Sequence, residues 1–355
     1  MAFILIIFAV STVFSLGAVS LVLKLSHRKK WYDHVDERKI HSGEIPRLGG
    51  IGFTFAFLVI TSVMSIFFGI NGANVLRFLP CVIAMIITLI SGLYDDFRPM
   101  AARYKIILQL IATVCVIIPG FNFDRLLYTG SGFLSDLAFL SIPVTLLWII
   151  GITNAINLLD GVDGLAGGLS ALIAFFLGLI YFSFAGASKS VLFCTCIVGV
   201  LVGFLILNAP FPRAKIFMGD CGSQFLGITL AILPLMKETG MTTSLPVLYA
   251  AAVFVIPIFD TTAAVWRRIR DGKKIYEPDK SHLHHKLINL GLNARKVILV
   301  VYSLQIVVGT LTFLAIRSQG IISLLILGSA YLVALIFFTT VHFLNRAANL
   351  KNTPQ

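Results

Sequence analysis

The chain has 355 residues, of which 58% are hydrophobic and only 12% are charged. Soluble domains are close to half apolar and about a quarter charged, so this composition excludes a soluble globular protein. Many apolar runs reach or approach the roughly 20 residues that cross a bilayer as a helix, and they do not alternate as the strands of a membrane barrel do. We therefore predict an all-α polytopic membrane protein.

Eleven apolar runs are predicted to span the membrane, as one integral-membrane domain over residues 1–355. The first run is followed by KLSHRKK and has no basic residues before it, the reverse of a cleaved signal peptide, so it is predicted to be an anchor helix. The fifth run is short and could be broken or re-entrant, and the ninth could continue as a helix into the next loop. The predicted spans are residues 2–24, 48–69, 77–95, 105–120, 138–153, 165–185, 190–207, 222–236, 246–266, 297–316 and 320–342.

The basic residues set the predicted orientation. Alternating the loops places 23 of the 28 Lys and Arg residues on one face and 5 on the other. Positive loops stay in the cytoplasm, so we predict an N-terminus outside the cell and a cytoplasmic C-terminus. The net charge of +12 then needs no nucleic acid to explain it. Of the 16 acidic residues, 13 fall on or near the same cytoplasmic face, which predicts that the chemistry is there.

Two adjacent carboxylates, Asp95 and Asp96, end the third span. Ionisable residues at the membrane edge are costly and are usually functional. Neighbouring carboxylates also repel each other unless a cation intervenes. The alternative is a solvated helix end beside Arg98, Arg103 and Lys105, although an acid at a helix C-terminus opposes the helix dipole. The pattern favours a functional pair.

The stretch NAINLLDGVDGLAGG, residues 154–168, links the fifth and sixth spans. Asn154, Asn157, Asp160 and Asp163 are spaced by three, so one helical turn would place them on one face. Amide and carboxylate oxygens suit Mg²⁺, and the glycines, Gly161 among them, allow the backbone to approach a ligand. The alternative, that Asp163 caps the sixth span, explains one of the four polar residues.

The loop NAPFPRAKIFMGDCGSQFLG joins the seventh and eighth spans and contains Asp220. Its two prolines exclude a continuous helix. Asp220 could cap the following helix, or it could be a metal carboxylate presented by a tight loop, and the second interpretation is favoured.

The largest predicted cytoplasmic loop, residues 267–296, contains nine basic residues and the histidines His282, His284 and His285. Such a set of donors can bind substrate phosphates. The alternatives are a surface for anionic lipid and a zinc site, for which a matching set of ligands is missing.

A fifth polar segment precedes the second span. Pro46 and the glycines of PRLGG predict a close-packed turn, and Arg38, Lys39, His41 and Arg47 add hydrogen-bond donors.

Together the five cytoplasmic segments place carboxylates at the centre of one face and cations around them. Phosphoryl transfer needs this layout, because it depends on a metal and positive groups that hold developing charge. At the membrane edge, one substrate is expected to be a lipid phosphate. A transporter is the alternative from another class, although its acids would lie near the midplane and its halves often repeat. A non-catalytic lipid-binding scaffold would not need the Asn and Asp set.

Four motifs occur in order: DDF, NAINLLDGVDGLAGG, FMGDCGS and SHLHH. In this combination the chain resembles the polyprenyl-phosphate N-acetylhexosamine-1-phosphate transferases, the WecA and TagO type of glycosyltransferase family 4, which is related to MraY. These membrane enzymes move a sugar 1-phosphate from a UDP-sugar to undecaprenyl phosphate and release UMP. The resemblance runs from about Arg38 to Leu290, and the span layout extends it to the whole chain.

PRLGG and HLHH look more like the GlcNAc-1-phosphate branch, which begins O-antigen, enterobacterial common antigen or teichoic acid synthesis. The peptidoglycan branch, which transfers phospho-MurNAc-pentapeptide, usually has a PTMGG-like segment and a triple-His string. The resemblance thus implies UDP-GlcNAc as the donor, with the peptidoglycan branch and other N-acetylated UDP-sugars as alternatives.

By motif, the resemblance implies catalytic roles for Asp95, Asp96 and Asp220. Asp220 would be a ligand of Mg²⁺ (or of Mn²⁺) with Asn157 beside it, and the other two would meet the lipid phosphate, one as a base. Direct displacement and a phospho-enzyme route both stay open. The implied substrate-binding residues are Arg47, Lys105, Asp160, Gly161, Asp163, His282, His284 and His285.

The implied partners are a UDP-sugar, undecaprenyl phosphate and membrane lipids, with no nucleic acid and with a homodimer as an open alternative to the monomer. The implied location is the cytoplasmic (inner) membrane of a bacterium, as a multi-pass protein.

Overall fold

The computed structural model describes residues 1–32, 45–67, 72–127, 138–211, 213–237, 244–274 and 281–352. Within these ranges the protein is all-helical, and the extended pairing is limited to one isolated bridge between Tyr32 and Pro46. The helices are α1 (Ala2–Lys29), α2 (Gly49–Phe67), α3 (Gly72–Phe97), α4 (Ala102–Ile117), α5 (Ser141–Leu159), α6 (Leu165–Ala185), α7 (Lys189–Asn208), α8 (Gly219–Ile232), α9 (Val247–Val253), α10 (Val255–Arg270), α11 (Leu283–Asn289), α12 (Ala294–Arg317) and α13 (Gly320–Asn352).

The helices confirm a polytopic membrane protein. In the described part of the chain, eight helices are long and apolar enough to cross a membrane, and the bent pair α9 and α10 would make a ninth span. Every predicted span corresponds to a helix or to this pair. Helices α4 and α8 have 16 and 14 residues, which is shorter than the roughly 20 residues of a full crossing.

The break in the helical pattern falls in the ninth predicted span and not in the fifth, so the expectation of a broken fifth span was wrong. The ninth span does continue as a helix into the next loop, as predicted, because α10 ends at Arg270. The fifth span is the unbroken 19-residue helix α5. Helices α9 and α10 instead meet at an angle of 88°. Pro257 lies in the first turn of α10 and has no N–H to donate to the carbonyl of Val253. That carbonyl accepts a hydrogen bond of 2.9 Å from Nε2 of Gln305, a buried side chain of α12, which stabilises the break.

Helix α8 lies at the centre of the bundle, and residues 221–232 are all buried. It packs against α2, α3 and α5. The contact with α2 is very close, because a methyl group on Gly50 would lie 2.4 Å from the backbone of Gly222. A short helix that is apolar on all sides belongs in a protein interior. This arrangement brings the start of α8, with Asp220, against the ends of the surrounding helices.

The five cysteines are free. The helix is interrupted between α7 and α8, as predicted, since α7 ends at Asn208 and α8 begins at Gly219. The predicted basic loop over residues 267–296 is partly helical: α10 ends within it, α11 lies inside it and α12 begins near its end. Its residues 275–280 lie outside the described ranges, as do Arg38, Lys39 and His41 of the segment before α2.

Candidate active site

The first turn of α8 is capped by a carboxylate from another helix. Oδ1 of Asp96 accepts a hydrogen bond of 2.9 Å from the N–H of Asp220, and Oδ2 accepts one of 3.0 Å from the N–H of Cys221. The first N–H groups of a helix have no partner within the helix, and an acid there complements the helix dipole. Asp96 is 4% exposed, so both oxygens of this buried carboxylate are committed to holding α8.

Because Asp96 supplies the cap, the side chain of Asp220 does not act as one. Its Oδ2 lies 3.2 Å from Nζ of Lys105, and its Oδ1 accepts a hydrogen bond of 3.1 Å from Nδ2 of Asn157. The Asp220 side chain keeps 35% of its surface exposed, against 9% for Asp95. Asp220 is therefore the carboxylate of this group that is open to a ligand.

Lys105 joins two carboxylates across two helices. Its Nζ bonds Oδ2 of Asp95 as well as Asp220. The other oxygen of Asp95 accepts a hydrogen bond of 2.6 Å from the N–H of Met100, which fixes the turn between α3 and α4. Asn157 is in turn held by Oγ of Ser223 at 2.8 Å. Side chains of α3, α4, α5 and α8 thus meet around Asp220.

The PRLGG segment lies against the loop before α8. The N–H of Phe217 bonds the carbonyl of Pro46 at 2.8 Å, and the N–H groups of Gly49 and Gly50 bond the carbonyls of Phe217 and Met218 at 2.9 and 2.8 Å. The turn ends at Gly219, which has a φ of +75°, and a methyl group there would lie 2.2 Å from the carbonyl oxygen of Arg47. Only glycine fits both constraints, and the result places Arg47 beside the residue that precedes Asp220.

The link between α5 and α6 has its polar residues outside both helices. Asp160 is the C-cap residue of α5, and the N-cap residue of α6 is Gly164, so Asp163 lies one residue before the N-cap position. The N–H of Gly164 donates to Oδ1 of Asn208 at 2.9 Å. Asn154 and Asn157 lie three residues apart on α5, as the spacing predicted, but their side chains bond different neighbours: Asn154 bonds Gln109 of α4 and Asn157 bonds Asp220 of α8.

The histidine segment, residues 282–285, is seated on this link. A methyl group on Gly161 would lie 2.5 Å from Nε2 of His284, so the ring lies directly against the Gly161 backbone. The rings of His282 and His284 are nearly parallel with centroids 6.0 Å apart. The pKa of His284 is lowered to about 4, mainly by loss of solvation and also by His285 and His282, whereas Asp260 acts in the opposite direction. His284 is therefore neutral at pH 7.

The acidic cluster carries more negative charge than its neighbours offset. The pKa of Asp160 is raised to about 8, first by loss of solvation and then by the negative charges of Asp220, Asp96 and Asp163. No group of three or more His, Cys, Asp or Glu side chains in the described ranges could hold a metal ion. Mg²⁺, however, is usually bound by one or two carboxylates together with substrate phosphates. Asp220 keeps 35% of its side chain exposed and lies beside the amide of Asn157. With the other negative carboxylates nearby, this arrangement fits an ion of that kind.

Comparison with known proteins gives the family of the chain. The sequence model described as Glycosyl transferase family 4 matches residues 78–238. A probable undecaprenyl-phosphate N-acetylglucosaminyl 1-phosphate transferase of Bacillus subtilis (strain 168) is 34% identical over 302 residues, which cover 84% of this chain and 81% of that protein. The chain belongs to glycosyl transferase family 4.

Further members of the family cover a similar share of the chain. A decaprenyl-phosphate N-acetylglucosaminephosphotransferase of Mycobacterium leprae is 32% identical, over 83% of this chain and 78% of that protein. An undecaprenyl-phosphate alpha-N-acetylglucosaminyl 1-phosphate transferase of Salmonella typhi is 27% identical over the same shares. The family resemblance drawn from the four motifs is therefore confirmed.

The candidate site brings the predicted residues into two neighbouring groups. Asp95, Lys105, Asn157 and Asp220 bond one another, with Asp96 behind them. The histidine segment contacts the link that carries Asp160 and Asp163.

The sequence analysis did not predict roles for Ser223, Asn208 and Asp260. Asn208 and Ser223 belong to the segment NAPFPRAKIFMGDCGSQFLG. Asp260 lies inside the apolar run of the ninth predicted span, where an acidic residue is itself the sign of a functional position.

Proposed function

We propose that the chain transfers GlcNAc-1-phosphate from UDP-GlcNAc to undecaprenyl phosphate and releases UMP, the first membrane step of cell-envelope polysaccharide synthesis. The observation that carries the proposal is the meeting of side chains from four helices at Asp220. The names of the relatives, which specify N-acetylglucosamine phosphate and a polyprenyl phosphate, support the choice of sugar and acceptor.

Asp220 and the neighbouring amide of Asn157 would hold the Mg²⁺ ion. When bound, that ion supplies positive charge to the phosphate oxygens of the donor. Asn157 donates to Oδ1 of Asp220, so it also orients the carboxylate. Lys105 bonds Asp220 and Asp95 in the structure, and its ammonium group can exchange these partners for the developing charge on a transferred phosphoryl group.

The two aspartates of the α3 terminus have different proposed roles. Asp95 keeps one oxygen on Lys105 and is the one that would meet the acceptor phosphate. Asp96 has both oxygens on α8, so its proposed role is to position Asp220. Asp160, Gly161, Asp163 and the histidine segment would bind the nucleotide-sugar, and Arg47 would add a cation beside it.

The proposed topology has eleven crossings in the cytoplasmic membrane of a bacterium, with the N-terminus outside and the C-terminus inside. It counts α4, α8 and the broken pair as crossings together with the eight long helices. The distribution of Lys and Arg supports it. The residues around Asp220 then face the cytoplasm, where a nucleotide-sugar is available.

The donor is tested by supplying purified protein with undecaprenyl phosphate, Mg²⁺ and one UDP-sugar at a time. UMP release with UDP-GlcNAc, and much less with UDP-GalNAc or UDP-MurNAc-pentapeptide, is expected. Preferential release from UDP-MurNAc-pentapeptide would move the chain to the peptidoglycan branch while leaving the chemistry in place. The absence of release with every donor would contradict the transferase and favour a transporter.

A further inference from the structure

A buried carboxylate on α10 anchors the histidine segment. Asp260 and His282 are 2% and 4% exposed. Oδ2 of Asp260 lies 2.9 Å from Nδ1 of His282, and Oδ1 accepts a hydrogen bond of 2.7 Å from the N–H of Leu283. Burying a carboxylate is costly unless it is well bonded, and both of its oxygens here serve two consecutive residues of one segment.

This bond determines the protonation of the His282 ring. An ionised carboxylate only accepts hydrogen bonds, so the Nδ1 nitrogen of His282 carries a proton. Because Nδ1 carries the proton in this bond, Nε2 of the neutral ring is unprotonated and can accept a hydrogen bond, whereas Nε2 of the charged ring carries a proton and can donate one. Nε2 of His282 has no hydrogen-bond partner in the described part of the chain, and it is therefore the nitrogen that is left for a ligand.

The anchored segment reaches the aspartate-bearing link. The His282 ring is nearly parallel to that of His284, and His284 lies against Gly161, next to Asp160. A continuous set of contacts thus runs from Asp260 through the two histidines to the α5–α6 link. None of these contacts involves the group around Asp220.

We propose that Asp260 is a positioning residue of the transferase. It fixes the tautomer of His282 and seats the histidine segment on the α5–α6 link, so that Nε2 of His282 meets the phosphates of the nucleotide-sugar. The inference rests on the proposed function. It adds to that function a residue of α10 that lies outside the four motifs DDF, NAINLLDGVDGLAGG, FMGDCGS and SHLHH.

The variant Asp260→Asn tests the role with almost no change in size. The Asn oxygen can still accept from Leu283, but its Nδ2 group donates to Nδ1 of His282 and so removes the proton from that nitrogen. We expect kcat/KM for UDP-GlcNAc to fall about 10- to 100-fold, the factor that a hydrogen bond to a charged group is worth. The KM for undecaprenyl phosphate should not change. The matched control is Asp271→Asn at the C-cap of α10, an exposed carboxylate bonded to Arg270, which should leave both constants unchanged.

A double-mutant cycle separates positioning from a general structural role. If Asp260 acts through His282, the variant Asp260→Asn/His282→Gln should be no slower than His282→Gln alone. If the losses of the two single variants multiply, Asp260 acts independently of His282 and the proposal is overturned. A kcat/KM for Asp260→Asn equal to that of the parent protein also overturns it.

A second variant keeps the test decisive if Asp260→Asn does not fold in detergent. Asp260→Glu keeps the charge but is longer by one methylene, so it displaces His282, and the same loss of kcat/KM is expected. A Glu variant with the parent rate contradicts the proposal. Failure of the proposed function is distinguishable, because the parent protein itself would then release no UMP from UDP-GlcNAc.

Discussion

At the scale of single residues, three aspartates of the site differ in what their oxygens contact. Asp96 caps α8, Asp95 bonds Lys105 and the α3–α4 turn, and Asp220 keeps an exposed carboxylate between Lys105 and Asn157. A buried and fully bonded carboxylate contributes mainly to the geometry of a site. The exposed one is placed to bind a ligand, which is why the metal is assigned to Asp220.

Asp220→Asn should lower UMP release about 100- to 1000-fold, the range reported for removal of a main electrostatic group of a site. The protein should still fold, because Asn has nearly the same size and Asp96 continues to cap α8. Activity across a Mg²⁺ titration and a thermal melt in detergent measure the two effects. Asp124→Asn is the control: Asp124 forms an ion pair of 2.8 Å with Lys237 away from the site, and its variant should remain active. Near-normal activity of Asp220→Asn would remove that residue from the metal site.

Asp160 makes the stability of the metal-free protein depend on pH. Its pKa is raised from 3.8 to about 8 in the folded state, so the folded protein binds more protons than the unfolded chain between these values. The contribution of Asp160 to the free energy of unfolding is therefore greatest below about pH 4. It decreases as the pH rises from there through about 8. Asp160→Asn should lose this dependence, so that its melting temperature exceeds that of the parent by more at pH 8.5 than at pH 5.5. Parallel melting curves against pH would contradict the environment described for Asp160.

At the scale of elements, the position of α8 depends on close contact between its backbone and that of α2. Gly50→Ala would place a methyl group 2.4 Å from the Gly222 backbone, and backbone cannot move aside as a side-chain end can. Overpacking of this kind costs about 1–3 kcal/mol or more, so we expect a lower melting temperature and a lower rate together. Gly17→Ala in α1 is the control, because nothing lies within 4 Å of the added methyl group, and it should be neutral or slightly stabilising. Equal melting temperatures for the two variants would show that α2 and α8 are not packed this closely.

The sequence predicted most elements but not their contacts. Hydropathy is sufficient to find helical segments, so all eleven predicted spans contain helix. It does not reveal a break such as that at Phe254, which depends on Pro257 and on Gln305 from α12, about 50 residues away. Motif spacing correctly placed Asn154 and Asn157 together on one helix, but it did not reveal that Asn154 bonds Gln109 of α4 while Asn157 bonds Asp220 of α8. Such pairings depend on which helices become neighbours, and local periodicity carries no such information.

The histidine segment illustrates the same limit for the site. The sequence predicted that His282, His284 and His285 lie near substrate phosphates, a prediction that remains. It treated them as alike, but His284 is buried and neutral against Gly161 while His282 is bonded to Asp260. Both rings are buried, so the difference arises from the Asp260 carboxylate, which lies inside an apolar run and meets His282 only in the folded structure.

At the scale of the whole molecule, the proposed site requires one orientation of the protein in the membrane. A cysteine placed at residue 187, by Ala187→Cys in the loop between α6 and α7, should react in intact cells with a thiol reagent that does not cross membranes. Asp271→Cys at the end of α10 should react only after the membrane is opened. The native cysteines, four of which are buried, provide the background in the unmodified protein. The reverse labelling pattern would place the Asp220 site on the outer face and contradict the proposed topology.

The central claim, a metal-assisted transfer between a nucleotide-sugar and a lipid phosphate, is tested most directly by UMP release from purified protein. The complete mixture contains UDP-GlcNAc, undecaprenyl phosphate and Mg²⁺, and separate mixtures omit the lipid or replace the metal with a chelator. We predict release in the complete mixture alone, together with one lipid-linked GlcNAc for each UMP. Release that continues without the lipid would indicate hydrolysis, release that continues in chelator would contradict the metal site at Asp220, and no release in the complete mixture would contradict the assignment of donor and acceptor.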